Sequence, residues 1–281
     1  MGGASEAEGH APPLLDTSVA HQCRIYDYWL GGKDNFAVDR EAGDRALQLH
    51  PNIIQGVRAN RAFLVRAVQY LAGEVGIRQY LDIGTGLPSA NNTHEVAQKI
   101  APDSRIVYVD NDPVVLLHAR ALLTSRPGGV CAYLNADARE PRSILAEATQ
   151  TLDFSKPVAL MMLGVLQLIP DEDGPYQIVA TLLDAMPSGS YLVICHPAGD
   201  MNPGVKRAAA LLDSLSAERR AMRSREEITR FFDGLDMIEP GLVPVAKWRP
   251  ESEMAAAAPA SRWAGVGRKP LLVTPPAVAS R

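Results

Sequence analysis

From residue 79 onward, short apolar runs alternate with helix-like segments. The runs "QYLDIG" (79–84), "RIVYVD" (105–110), "VCAYLNA" (130–136), "PVALMML" (157–163) and "SYLVICH" (190–196) read as buried strands. The helices between them have recognisable ends. Asn92 with Glu95 has the spacing of a capping box, Ala101-Pro102 stops that helix, and Asp112-Pro113 supplies the next with an N-cap and a first-turn proline. This rhythm predicts an α/β fold: a doubly wound, Rossmann-like parallel sheet covered by helices.

After the fifth strand the pattern changes. "NPGVKRAAALLDSLSAERRAM" and "SREEITRFFDGL" read as two helices, the second opened by a Ser224/Glu227 capping box. "GLVPVAKWRP" (241–250) and "RWAGVGRKPLLV" (262–273) read as strands that add an antiparallel pair at the sheet edge, with a loop containing "EMAAAAPA" between them. Ahead of the sheet, "NRAFLVRAVQYLAGEVG" is helical. Residues 1–16 are expected to be a mobile tail, 17–78 a helical cap, and 79–275 the main domain.

The 281 residues suffice to bury a core without staples. A net charge of -4 supplies no basic field for a nucleic-acid backbone or an acidic membrane surface. Cys23, Cys131 and Cys195 show no metal-ligand spacing, so no metal is expected and the thiols are read as reduced, in a cytoplasmic protein. No secretion signal is apparent, and no stretch approaches the roughly 18 apolar residues of a membrane helix.

In an open sheet, ligands bind beyond the carboxyl ends of the strands. Asp82 stands there, ahead of Gly84, Thr85 and Gly86. A carboxylate so placed either braces the glycine loop or faces a positively charged ligand. Asp110, at the end of the second strand, is spaced to hold a ribose. These features fit both a dinucleotide and S-adenosylmethionine. The loop separates them: Ser89 stands where a dinucleotide fingerprint needs its third glycine, Pro88 removes an N–H donor, and Asp82 would repel a pyrophosphate. S-adenosylmethionine carries an ammonium and a sulfonium and no phosphate.

The stretches "RIYDYWLGGKDNFAVDREA", "NRAFLVRAV", "QYLDIGTGLPSANNTHEVAQ", "RIVYVDNDPVVLLHARALL", "WRP" and "WAGVGRKP" resemble the S-adenosylmethionine-dependent methyltransferase family of actinomycetes, long described as a domain of unknown function. The resemblance spans residues 17 to 270. It implies the class I methyltransferase sheet, order 3-2-1-4-5-7-6, with the antiparallel seventh strand near 262–268. It also implies that Gly84 and Gly86 lie against the methionine part of the cofactor, Asp110 on the ribose hydroxyls and Asp137 on the adenine amino group. Asn111, Ala138 and Leu163 complete the expected cofactor lining.

His196 is the candidate general base, with a structural hydrogen bond as its alternative. Tyr26 and Tyr28 beside Gly31 and Gly32 suggest a lid, or else a packed anchor. The stretch 163–167, "LGVLQ", lacks an amino-base signature, so the expected acceptor is an oxygen or nitrogen of a small molecule. A non-catalytic S-adenosylmethionine sensor and an NAD-dependent dehydrogenase are the alternatives.

Overall fold

The computed structural model describes residues 17–122, 125 and 127–271. The expected tail at 1–16 and the end of the last predicted strand lie outside the described residues. Three helices lead: α1 (Gln22–Leu30), α2 (Ala37–Leu49) and α3 (Ile53–Gln69), the last widening into a π-helical turn over Tyr70–Val75. The alternating part follows as β1 (Gln79–Ile83), α4 (Thr93–Ile100), β2 (Arg105–Asp110), α5 (Pro113–Leu122), β3 (Val130–Asn135), α6 (Pro141–Ala148), β4 (Ala159–Leu163), α7 (Pro175–Asp184) and β5 (Tyr191–Pro197). The chain ends with α8 (Pro203–Leu215), α9 (Arg225–Thr229), β6 (Asp236–Met237), β7 (Val243–Pro244), α10 (Glu253–Ala256) and β8 (Arg262–Arg268).

The strands form one sheet in the order β3-β2-β1-β4-β5-β8-β6, with β7 paired to β8. Strands β1 to β5 are parallel, and β8 runs antiparallel to β5 from Tyr191↔Arg268 to Pro197↔Arg262. This is the class I methyltransferase sheet, in which β8 takes the place of the antiparallel seventh strand. Side-chain alternation splits the sheet's core in two. Leu81, Val107, Leu160 and Ile194 face the layer of α6 and α7, while Tyr80, Tyr108, Met161 and Val193 face α3 and α4.

Two expected elements are shorter than their patterns suggest. The strand at 241–250 is reduced to Val243–Pro244, and the outermost place in the sheet, beyond β8, goes to Asp236–Met237. Pro244 has no N–H for a ladder, and the turn that follows delivers Trp248 into the core, edge-on to Phe63 at 5.2 Å. The helix expected over 202–222 stops at Leu215. Beyond it Arg220 reaches back to Gln22 of α1 at 2.8 Å and pairs with Asp213 and Glu218. A third apolar cluster joins Ile25 and Trp29 of α1, Ala46 of α2, Val57 of α3, and Ala208 and Leu212 of α8. Among the described residues, no helix is long and apolar enough to cross a membrane.

Candidate functional site

A cavity of about 900 Å³ opens at the carboxyl ends of β1 to β4, with α1 and α3 as its far wall. All nine residues expected to line a cofactor do line it: Asp82, Gly84, Thr85, Gly86, Asp110, Asn111, Asp137, Ala138 and Leu163. Tyr26 joins them from α1.

The glycines have separate reasons. Gly84 has φ +73, and a Cβ there would stand 2.4 Å from Cβ of Val165, so β1 and the turn after β4 close against each other only without a side chain. Gly86 has φ +68 and nothing within 4 Å of its Cβ position, which leaves the loop open to the cavity. Four of the loop's amides are turned inward. Gly84 and Thr85 donate to Val109 O, Gly86 to Asp110 Oδ2 at 2.8 Å, and Ser89 to Asn92 Oδ1 at 3.2 Å. These amides cannot cradle a pyrophosphate, and Pro88 has none to offer.

Asp82 both braces and faces the site. Its Oδ2 accepts from Thr93 Oγ1 at 2.6 Å, tying β1 to the first turn of α4, while the residue remains part of the cavity lining. Burial lifts its pKa to about 6, opposed in part by the Thr93 hydrogen bond and the charge of Arg61. Asp110 accepts from Gly86 N and, through Oδ1, from Asp112 N at 3.0 Å; burial raises its pKa against those two bonds. Asp137 accepts from Asn111 Nδ2 at 3.1 Å and Arg139 Nη1 at 3.0 Å, and Arg139 Nε donates on to Asp173 at 2.7 Å.

His196 is not on the cavity. It is fully buried, Nδ1–H donates to Pro197 O at 2.8 Å, and Nε2 accepts from Arg223 Nη1 at 3.2 Å. Burial pushes its pKa down to about 3, so the ring is neutral with both nitrogens engaged. The geometry favours its structural reading over the general base. The aromatic and glycine group also divides. Tyr28 hydrogen-bonds Asp44 on the outside, Gly31 is the left-handed C-cap of α1, and Gly32 lies against the Asp27 carboxylate, where no Cβ would fit. Neither glycine lines the cavity, and each is accounted for by how α1 ends.

Several lining residues had no signal in the sequence. Asn60 and Arg61, a polar pair in the apolar run of α3, face it; Asn60 Nδ2 donates to Tyr26 OH at 2.8 Å, and Arg61 Nη2 donates to Ala90 O and Asn91 O. His21, Cys23 and Asp112 meet at the rim, their donor atoms within 4.8 Å of one another, a set of a kind that can hold a metal ion. In this structure they are bonded to each other, with His21 Nδ1 at 2.9 Å and Cys23 Sγ at 2.7 Å from Asp112 Oδ2. Burial would raise the Asp112 pKa, but the bonds from His21 and Cys23 prevail and hold it at about 2.

A buried carboxylate on the cavity, a second acid at the end of β2 and a glycine loop whose Gly84, Thr85 and Gly86 amides are already bonded suit S-adenosylmethionine better than a dinucleotide. Fold and site therefore define a class I S-adenosylmethionine-dependent methyltransferase. The comparison with known families agrees: the model of the S-adenosyl methyltransferase family matches residues 8–270, and the chain belongs to that family. A DUF574 family protein of Streptomyces avermitilis is 44% identical, with 91% of this chain and 99% of that one covered and a TM-score of 0.88. A Thermobifida fusca protein described as a methyltransferase is 39% identical, with 92% and 98% covered and a TM-score of 0.83. Among curated proteins, none matches.

Proposed function

We propose that this methyltransferase acts on an oxygen or nitrogen of a small molecule in the cytoplasm. The observation that carries the cofactor assignment is the inward-turned loop beside Asp82. The small-molecule acceptor is supported by the cavity, whose volume of about 900 Å³ is at the upper end of the roughly 300–1,000 Å³ usual for such ligands. Three free cysteines, Cys23, Cys131 and Cys195, support a reducing compartment.

Asp82 would hold the cationic end of the cofactor, Asp110 the ribose hydroxyls and Asp137 the adenine amino group. When bound, the cofactor supplies a methyl group on a sulfonium, which the acceptor atom takes with its lone pair as the carbon–sulfur pair stays on sulfur and the acceptor loses its proton. The chain's own part is alignment and exclusion of water, which require no side-chain base. Calorimetry with S-adenosylmethionine, its demethylated product and NAD, followed by labelled-methyl transfer into a small-molecule extract, tests this. Binding of NAD alone, or a bound cofactor with no methyl delivered to any fraction, would overturn it.

The raised pKa of Asp82 gives a second check. The folded value of about 6 lies above the ordinary 3.8, so the ionised form costs stability above pH 6 and that cost is relieved as pH falls. A cationic ligand favours the ionised form, so binding below about pH 6 releases a proton. Affinity for S-adenosylmethionine is expected to weaken by about tenfold between pH 7 and pH 5. His21, whose pKa is lowered by burial but raised overall by Asp112 and Glu218, titrates nearby. The Asp82→Asn variant separates the two: a pH profile as steep as that of the wild type would remove Asp82 from this role.

A further inference from the structure

Three side chains of metal-ligand type meet at the front rim of the large cavity: His21 precedes α1, Cys23 lies in its first turn and Asp112 caps α5. Their ends form a closed triangle. Cys23 Sγ lies 2.7 Å and His21 Nδ1 2.9 Å from Asp112 Oδ2, and Nδ1 lies 3.1 Å from Sγ. Protons account for two of its sides. Nδ1–H and Sγ–H can each donate to the carboxylate, but the third side then sets a donor against a donor, because one imidazole nitrogen cannot give and receive at once. A cation inside the triangle satisfies all three sides.

The surroundings are also those of a metal site. His21 Nε2 faces Glu218 Oε1 at 3.3 Å, and Glu218 Oε2 is itself held by Gln22 N and Arg220 Nη2, each at 3.1 Å. A carboxylate behind the far nitrogen of a histidine fixes the tautomer whose near nitrogen has its lone pair free for a metal. Asp112 divides its oxygens in the same sense: Oδ1 accepts from Val114 N at 2.8 Å, capping α5, and Oδ2 is left to the triangle. The backbone of His21 is fixed too, its N–H donating to Asp39 Oδ1 at 2.9 Å.

We propose that His21 Nδ1, Cys23 Sγ and Asp112 Oδ2 hold a divalent metal ion of the zinc type. Magnesium and calcium take oxygen ligands, whereas a mixed nitrogen, sulfur and oxygen set suits zinc, and thiolate with carboxylate neutralises its two charges. Ligand atoms on a tetrahedral zinc stand roughly 3.3–3.8 Å apart, so each of the three moves outward by about 0.5 Å to admit the ion. Its entry displaces the thiol proton and the proton on Nδ1, and Nε2–H then donates to Glu218. Three protein ligands leave a fourth position, which opens on the cavity that all three residues line, to water or to a heteroatom of a bound molecule. The ion ties the start of α1 and, through Glu218, the segment after α8 to the loop after β2. That loop is one hydrogen bond from the acid read as the ribose holder, since Asp112 N donates to Asp110 Oδ1 at 3.0 Å. The site stands on these residues whichever acceptor is methylated.

The test uses the full chain, stripped of metal by a chelator and titrated with cobalt(II), zinc(II) and magnesium(II). Cobalt is expected to produce a thiolate-to-metal charge-transfer band in the near ultraviolet that saturates at one equivalent; zinc should abolish the band and magnesium leave it unchanged. Cys23→Ser keeps a hydroxyl to donate to Asp112, and with it the metal-free melting temperature, yet should lose the cobalt band. Glu218→Gln leaves all three ligands in place and guards against misfolding of the first variant; it should weaken zinc binding by about tenfold or more, read by competition with a chelating dye. No band with cobalt, a band that persists in Cys23→Ser, or equal zinc affinity in the wild type and Glu218→Gln would overturn the metal site, and the three residues would then serve only to fasten α1 to α5 by hydrogen bonds.

Discussion

Asp110→Ala is expected to lower affinity for S-adenosylmethionine and for its demethylated product by roughly ten- to a hundred-fold, the 1.5–3 kcal/mol of hydrogen bonds to a charged group. The carboxylate does two things at once. It would receive the ribose hydroxyls, and it already fixes the glycine loop through Gly86 N and the start of α5 through Asp112 N. Alanine removes the ligand contact and leaves both amides without their acceptor. Asp110→Asn should recover only part of the loss, because its NH₂ must face one of two N–H donors. Calorimetry on both variants, with melting curves to show that the fold persists, gives the measurement. Unchanged affinity in Asp110→Ala would remove the residue from the cofactor site.

The largest effect on stability is expected at Arg223. Its side chain is 2% exposed and donates to Leu166 O at 2.7 Å, Ile169 O at 2.8 Å, Asp171 Oδ1 at 2.7 Å and His196 Nε2 at 3.2 Å. It also lies over the rings of Tyr176 and Phe231. One guanidinium therefore organises the whole turn after β4, whose Leu168 and Ile169 line the cavity. Arg223→Ala strands two carbonyls and an imidazole nitrogen in the interior, at a cost of about 3–5 kcal/mol. The melting temperature should fall by on the order of 10 °C. Lysine at this position lacks the fork to reach these acceptors together and should recover little. A melting temperature within about 2 °C of the wild type would show that the turn holds without its arginine.

Much of the fold was legible because its signals are local. The strand rhythm needs only neighbouring residues, and so do the caps: Glu95 Oε2 accepts from Asn92 N at 2.8 Å and Glu227 Oε2 from Ser224 N at 2.7 Å, as their spacing implies. The cofactor lining was legible for a related reason, since an open sheet brings the ends of its parallel strands to one edge whatever the side chains are. The wall that Asn60 and Arg61 supply from α3, and His21 and Cys23 from the start of α1, was not, because those segments lie outside the strand rhythm and carry no pattern that points at the cavity. His196 lies between these cases. Its place at the end of β5 was readable, but side-chain parity puts it with Leu192 and Ile194, toward the α7 layer, and away from the ligand. The strand expected at 241–250 failed because the chain turns at Val245–Lys247, and its apolar residues Val245 and Trp248 enter the core there.

The helical layer at the front of the chain has a consequence for how the protein is made. Its helices share an apolar cluster with one another and with α8, and Gln22 is joined to Arg220 across 198 residues of sequence. During translation α1 and α2 can pack on α3 early, but the part of their apolar faces that α8 covers stays bare until all five parallel strands have been synthesised. The front layer completes its docking only after α8, late in synthesis, has supplied the surface that receives it. A nascent chain arrested before α8 would present those faces to chaperones, and a division of the gene at residue 78 would leave each fragment holding half of a shared core.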